Sequence, residues 1–198
     1  VDSNAQKIGS VNTILHDDND RLKGYNTDWI GIVRDLEGPL EIQKKTFAIL
    51  GAGGTARAAV FGILQNGGIP LVFNRTPARG EEMAHEFGCP FYPLSEIGTI
   101  SADCLINTTP VGMAPEREKS PLQKEVLSNF RWVMDCIYNP MQTQLLKDAE
   151  AAGCTALNGV GMFVNQGAEQ IKIWTGKEPP REFMRQVVLD KLKELDGN

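Results

Sequence analysis

The 198 residues are 41% hydrophobic and 23% charged with a net charge of −5, the balance of a globular chain that can bury a substantial core. No basic cluster invites nucleic acid, no apolar run reaches the length of a membrane span, and the polar opening VDSNAQK does not read as a secretory signal. The four cysteines, Cys89, Cys104, Cys136 and Cys154, stand far apart with only His16 and His85 to assist them, so no metal site is expected, and reduced thiols fit a cytoplasmic location.

In chain order, residues 5–9 read as the tail of a helix stopped by Gly9. Residues 11–15 and 22–25 flank the polar turn Asp17-Asp18-Asn19-Asp20 as two short strands of a hairpin. That turn lacks the ligand spacing and the glycine of a calcium loop, so it reads as solvated. Thr27 or Asp28 is placed to cap a helix over 29–36, which carries Ile30, Val33 and Leu36 at helical spacing and ends at Gly38-Pro39. It looks like a connector into a second unit.

From Thr46 onward strands alternate with helices, the pattern of an α/β fold with a doubly wound parallel sheet. Strands are expected at 47–50, 71–74, near 91–92, and at 104–107, 132–135 and 155–157. Helices are expected after the first strand through Leu64, at 78–87, at 143–152, at 162–174 before Gly176, and after Pro179-Pro180 through Leu195.

The first of those strands breaks at Gly51-Ala52-Gly53-Gly54-Thr55-Ala56. Gly51 can take dihedrals that a Cβ forbids, Gly53 lets backbone N–H groups approach a pyrophosphate, and Ala56 is small enough for helix to pack on strand. Gly51 to Thr55 therefore form a candidate dinucleotide cradle at a helix N-terminus. The second strand ends in Asn74-Arg75-Thr76, with Arg79 one turn further, where an NAD-binding unit would carry an acid. A guanidinium there pairs with a 2′-phosphate, which points to NADP; the alternative is that Arg75 and Arg79 are solvated surface residues.

Beyond later strand ends, Asn107 and Thr109 are candidates to line the cofactor path, while Met113 reads as packing. Tyr138 is either a site residue or a buried tyrosine with a satisfied hydroxyl. Gly159 precedes the helix carrying Gln166, itself either a surface residue or a ligand of a small-molecule substrate.

In order, the segments AQKIGSVNT, GYNTDWIG, GAGGTAR, NRTPAR, NTTPVGM, DCIYNP and NGVGMFVNQGAEQIKIWTG resemble the shikimate dehydrogenase family, over about residues 5–176. The resemblance implies NADP-dependent, reversible reduction of 3-dehydroshikimate to shikimate in aromatic amino-acid biosynthesis. It implies a Rossmann-like cofactor domain at 46–158, the end of a truncated N-terminal substrate domain at 1–27, a connecting helix and linker at 28–45, and C-terminal helices at 159–198 that return toward the substrate domain. On the family's pattern Asn12 matches a substrate-binding asparagine and Asp28 the catalytic, substrate-binding aspartate. Gln166 matches a substrate-binding glutamine, Tyr138 a substrate-side tyrosine, and Gly159 a residue near the nicotinamide.

The family's catalytic lysine and its serine pair lie upstream of the position matched by Asn12, and neither Lys7 nor Lys23 fits that motif. The chain is therefore expected to be a fragment, inactive by itself, of a stand-alone or multifunctional enzyme. Reducing a ketone needs a proton on oxygen, and a lone ionised aspartate is a poor donor. Exposed apolar surface left by the missing part is expected to favour self-association, as in a homodimer. Two neighbouring enzyme readings are a quinate/shikimate dehydrogenase, against whose frequent NAD preference Arg75 argues, and a glutamyl-tRNA reductase, whose nucleophilic cysteine has no counterpart here. A non-catalytic NADP-binding module is a third reading.

Overall fold

The computed structural model describes residues 1–17 and 19–196. A first layer holds α1 (Ser3–Ile8) and the antiparallel pair β1 (Thr13–His16) and β2 (Leu22–Tyr25). Asp2 caps α1, its Oδ1 accepting from Ala5 N at 2.8 Å, and Gly9 closes it at φ 70°, where a left-handed residue is needed. The polar turn after β1 is organised by Asp17, whose Oδ1 accepts from Asn19 N and Arg21 N at 3.0 Å; Asp18, part of the expected turn, lies outside the described residues.

Helix α2 (Asp28–Glu37) departs from the expected capping. Thr27 stands at the N-cap position, but its side chain makes no capping bond: the residue is only 1% exposed and its hydroxyl is held by neighbouring side chains. The acceptor at the helix start is Asn26 Oδ1, 3.0 Å from Asp28 N. The buried stripe is also wider than a connector needs. It comprises Gly31, Ile32, Val33 and Leu36, with Ile30 only half-buried, because α2 packs against two helices.

The second layer is a six-stranded, all-parallel sheet of β3 (Thr46–Leu50), β4 (Ile69–Asn74), β5 (Phe91–Pro93), β6 (Ala102–Asn107), β7 (Phe130–Asp135) and β8 (Thr155–Leu157), in the order β5-β4-β3-β6-β7-β8. Helices α3 (Gly54–Gln65), α4 (Pro77–Phe87) and α5 (Gln144–Ala151) connect strands, and α6 (Val160–Thr175) and α7 (Arg181–Asp196) close the chain. Strand order reverses between β3 and β6, which makes their carboxyl ends the natural ligand crevice.

Both faces of the sheet are covered, so its strands are apolar without alternation. Phe47 and Ile49 of β3 join Val60 and Ile63 of α3 and Ile32, Val33 and Leu36 of α2 in one core, while Ala48 and Leu50 face a second with Leu145 and Leu146 of α5. Two six-residue 3₁₀ helices, Leu94–Thr99 and Lys124–Asn129, stand where the sequence showed no element; two tight turns are too short to establish a period.

The two layers are tied together at several points. Arg57 of α3 donates from Nε to Ile8 O at the end of α1 and pairs with Glu86 of α4. Trp174, near the end of α6, donates to Ile14 O of β1 at 3.0 Å. Arg34 of α2 pairs with Glu169 of α6 at 3.0 Å. Among the described residues no helix is long and apolar enough to cross a membrane, and no group of three or more His, Cys, Asp or Glu is placed to hold a metal ion. The four cysteines are free thiols.

Candidate functional site

The glycine turn leaves β3 at Gly51, which sits at φ 114° and donates to Phe73 O at 2.8 Å. A Cβ there would meet Thr108 Oγ1 at 2.6 Å, so glycine is required both for the dihedral and for the approach of the β6 loop. Thr108 is fixed in turn by its own N–H and hydroxyl, both donating to Leu50 O. Gly53 then precedes α3 in an extended conformation with nothing within 4 Å of the place a Cβ would take. Gly53 and Gly54 are exposed, Ala52 and Thr55 half-buried, and no side chain caps α3. Helix N–H groups and the positive end of the dipole thus face open space, an arrangement that fits a pyrophosphate.

At the end of β4, Asn74 Nδ2 donates to Thr76 O at 2.8 Å, shaping the turn into α4. Arg75, Thr76 and Arg79 are exposed, and among the described residues neither arginine side chain makes a hydrogen bond or ion pair. Two uncommitted guanidiniums beside the glycine turn fit a dianionic 2′-phosphate.

The end of β6 differs from expectation. Asn107 does not line an open path: it is fully buried, with Nδ2 donating to Asp135 Oδ1 at 3.0 Å and Oδ1 accepting from Thr109 N and Oγ1 at 3.0 and 2.7 Å. Polar groups adjoining at the ends of neighbouring strands satisfied one another, which strand-end position alone did not reveal. Asp135 also accepts from Thr143 Oγ1 and Ile137 N, and burial pushes its carboxyl up to about 6 against those bonds. Half-buried Thr109 is the residue of this pair left near the surface.

A second constellation gathers residues from three distant stretches. Asn12 Nδ2 donates to Asp28 Oδ1 at 2.7 Å and to Thr27 Oγ1 at 3.1 Å, while its Oδ1 accepts from Thr27 N at 2.9 Å and Thr13 Oγ1 at 2.8 Å. Thr27 Oγ1 reaches Gln166 Oε1 at 3.3 Å, and Gln166 Nε2 donates to Phe163 O at 3.0 Å. Asn12, Asp28 and Gln166 are therefore brought together, with Thr27 as the link that sequence reasoning took for a helix cap. Burial raises the Asp28 carboxyl above its ordinary value and the Asn12 hydrogen bond opposes this; no lysine or arginine pairs with it among the described residues.

Tyr138 is 39% exposed and stacks on Phe163, ring centroids 4.2 Å apart, one turn before Gln166. It is not a buried tyrosine; its hydroxyl makes no hydrogen bond among the described residues. Gly159 donates to Ile137 O at 3.0 Å, and a Cβ there would run into the Cys136 carbonyl, so α6 begins pressed against the end of β7.

The sequence also hid Asp35, two turns after Asp28 on α2. Its carboxylate occupies the space beside Gly161 in the first turn of α6, accepts from Met162 N and leaves Oδ2 without a partner. Burial pushes it up to about 6, opposed by the Met162 N–H and by Arg185 of α7. A seven-residue spacing from Asp28 was the available signal for a shared helix face.

Comparison with known proteins follows the same lines. A family profile described as the shikimate 5′-dehydrogenase C-terminal domain matches residues 159–189. A protein of Methanococcoides burtonii named shikimate dehydrogenase (NADP(+)) is 43% identical over 196 residues, 97% of this chain and 72% of that protein. The crystal structure of a chorismate mutase/shikimate 5-dehydrogenase fusion protein from Clostridium acetobutylicum matches with a TM-score of 0.88 at 33% identity, over 97% of this chain and 71% of that one. That of shikimate 5-dehydrogenase from Thermus thermophilus, in complex with NADP(H) and shikimate, matches with a TM-score of 0.85 at 35% identity, over 96% and 71%.

Proposed function

Since the chain belongs to the shikimate dehydrogenase family, we propose that it serves the NADP-dependent, reversible reduction of 3-dehydroshikimate to shikimate, with the division of labour that its geometry supports. In this reading residues 46–158 hold NADP, residues 1–27 and 159–198 frame the substrate, and 28–45 join them. The observation that carries it is a pairing: a glycine turn flanked by Arg75 and Arg79, unpaired among the described residues, on one side, and Asn12, Asp28 and Gln166 drawn into one hydrogen-bonded cluster on the other.

Bound NADPH supplies the hydride. Gly51 to Thr55 offer backbone donors to the pyrophosphate, Arg75 and Arg79 take the 2′-phosphate, with Asn74 and Thr76 setting their turn, and Thr109 and Gly159 border the path toward the nicotinamide. Asn12 occupies Asp28 Oδ1, which leaves Oδ2 for the substrate oxygen or a cationic partner. Burial makes the Asp28 carboxyl a better proton holder than an exposed one. Gln166 and Tyr138, adjacent through Phe163, orient the ring hydroxyls. Four free thiols support a cytoplasmic setting, and exposed Ile14, Leu22 and Trp174 support self-association as a homodimer.

Calorimetric titration tests the cofactor half. NADPH should bind at least about tenfold more tightly than NADH, the effect of one charge-assisted contact. Equal affinities would overturn the NADP reading and favour an NAD-using quinate/shikimate enzyme. For the substrate half, NADPH formation from shikimate and NADP in the full-length enzyme should fall by about 10²–10⁴-fold on Asp28→Asn.

A further inference from the structure

We propose that Ser10, on the loop between α1 and β1, is an additional ligand of the cofactor pyrophosphate, so that the cradle is completed from outside the sheet domain. The inference rests on the NADP reading given above. A Cβ built on Gly54, the first residue of α3, would lie 2.7 Å from Ser10 Oγ and 3.6 Å from Ser10 Cβ. Helical Cα–Cβ bonds tilt toward the N-terminus of their helix, so this hydroxyl stands at the mouth of α3, beside the uncapped N–H groups. It has no competing occupation: among the described residues Ser10 Oγ makes no hydrogen bond.

The residue is held from both directions. Ser10 O accepts from Asn26 Nδ2 at 3.1 Å, and the preceding Gly9 packs on the Arg57 guanidinium, itself bonded to Ile8 O. The loop cannot swing away without breaking these contacts, so the Ser10 backbone is held at this place, and its hydroxyl, with no partner of its own among the described residues, can turn about χ1 toward a nonbridging phosphate oxygen. Glycine at position 54 is what admits the hydroxyl this close. Two residues on, Asn12 positions Asp28, so one short loop touches both the cofactor and the substrate cluster.

The test is calorimetry on the 198-residue chain with NADPH and NADH. Ser10→Ala should raise Kd by about tenfold or more for both cofactors alike, the effect of one hydrogen bond to a charged acceptor, and Ser10→Thr, which keeps the hydroxyl, should bind like the unsubstituted chain. The NADPH-to-NADH ratio should not move with Ser10→Ala and should fall with Arg75→Ala. Unchanged Kd values for Ser10→Ala, an effect confined to NADPH, or equal weakening by Ser10→Thr would each overturn the Ser10 assignment while leaving the NADP reading intact. No binding of either cofactor by the unsubstituted chain would overturn both.

Discussion

The two halves of the proposed site, the cofactor end and the substrate end of the reading given above, are built on opposite plans. At the cofactor end, donors are left over: α3 is uncapped, Gly53 faces open space, and Arg75 and Arg79 have no partners among the described residues. At the substrate end the polar groups already hold one another, Asn12 bonding to Asp28 and Thr27, and Thr27 to Gln166. A ligand entering the first meets ready donors and disturbs little; a ligand entering the second must exchange existing bonds. Affinity should therefore come readily at the glycine turn, whereas the cluster is suited to orientation, where holding a geometry matters more than tight binding.

The contrast is broken most completely at Gly53. Its Val substitution would fill the open space beside α3 and should abolish detectable NADPH binding in calorimetry, while the melting curve stays close to that of the parent. Retained binding would mean that the turn is structural only.

Asp28→Asn probes the other plan, since it keeps size and the bond to Asn12 but removes the exchangeable carboxyl. In the full-length enzyme kcat should fall by about 10²–10⁴-fold, the usual share of general acid–base groups. NADPH affinity should stay within about twofold, because the hydrogen bonds of Asp28 among the described residues run to Asn12 and Asn26 and not to the glycine turn. A loss seen mainly in NADPH affinity would put Asp28 on the wrong side of the comparison.

Arg75→Ala is expected to be milder. It should weaken NADPH binding by about 10–100-fold, the contribution of a charge-assisted bond, and leave NADH binding unaltered. Equal weakening of both cofactors would remove Arg75 from the 2′-phosphate.

The smallest effect concerns pH. Asp35 and Asp135 are pushed from 3.8 up to about 6 by burial, so folding favours their protonated forms. Their contribution to stability is fully present below about pH 3.8 and is lost as pH rises through about 6. Asp17, Glu86, Asp103 and Glu178 are lowered and act in the opposite sense only at more acid pH. Between pH 7.5 and 5 the Tm should therefore climb, by several degrees if each carboxyl contributes about 1–3 kcal/mol. Asp35→Asn should flatten that climb; an unaltered slope would show that Asp35 titrates normally.

Much of this was legible in the sequence for a physical reason. Glycine turns, caps such as Gly9 and Gly176, and apolar strand runs are local, and a local rule reads them: all eight strands form close to where they were expected, whereas their order in the sheet had to come from the structure. What stayed hidden depends on partners far along the chain. Thr27 looked like a cap because the capping rule sees only the helix it precedes, not Asn12 fifteen residues back or Gln166 at a separation of 139. Asn107 looked like a ligand because its position at a strand end was visible and its bond to Asp135, across the sheet, was not. Asp35 and Ser10 are similar cases, meaningful only once Gly161 and Gly54 are set against them.

Helix α2 has a consequence for recombination between relatives. It packs on α3 through Val33 and Trp29 against Gly62, and on α6 through Gly31 against Met162 O and Gln166 Cβ. Strand β4, the turn after it that carries Arg75, and the start of α4 that carries Arg79 follow one another along the chain, and β4 lies on the far side of β3 from β6 and β7. A chimera that swaps residues 69–80 should thus transplant coenzyme preference as a self-contained cassette. Transplanting substrate choice has no such clean seam, because a donor's α6 has to arrive together with the α2 surface it was shaped on.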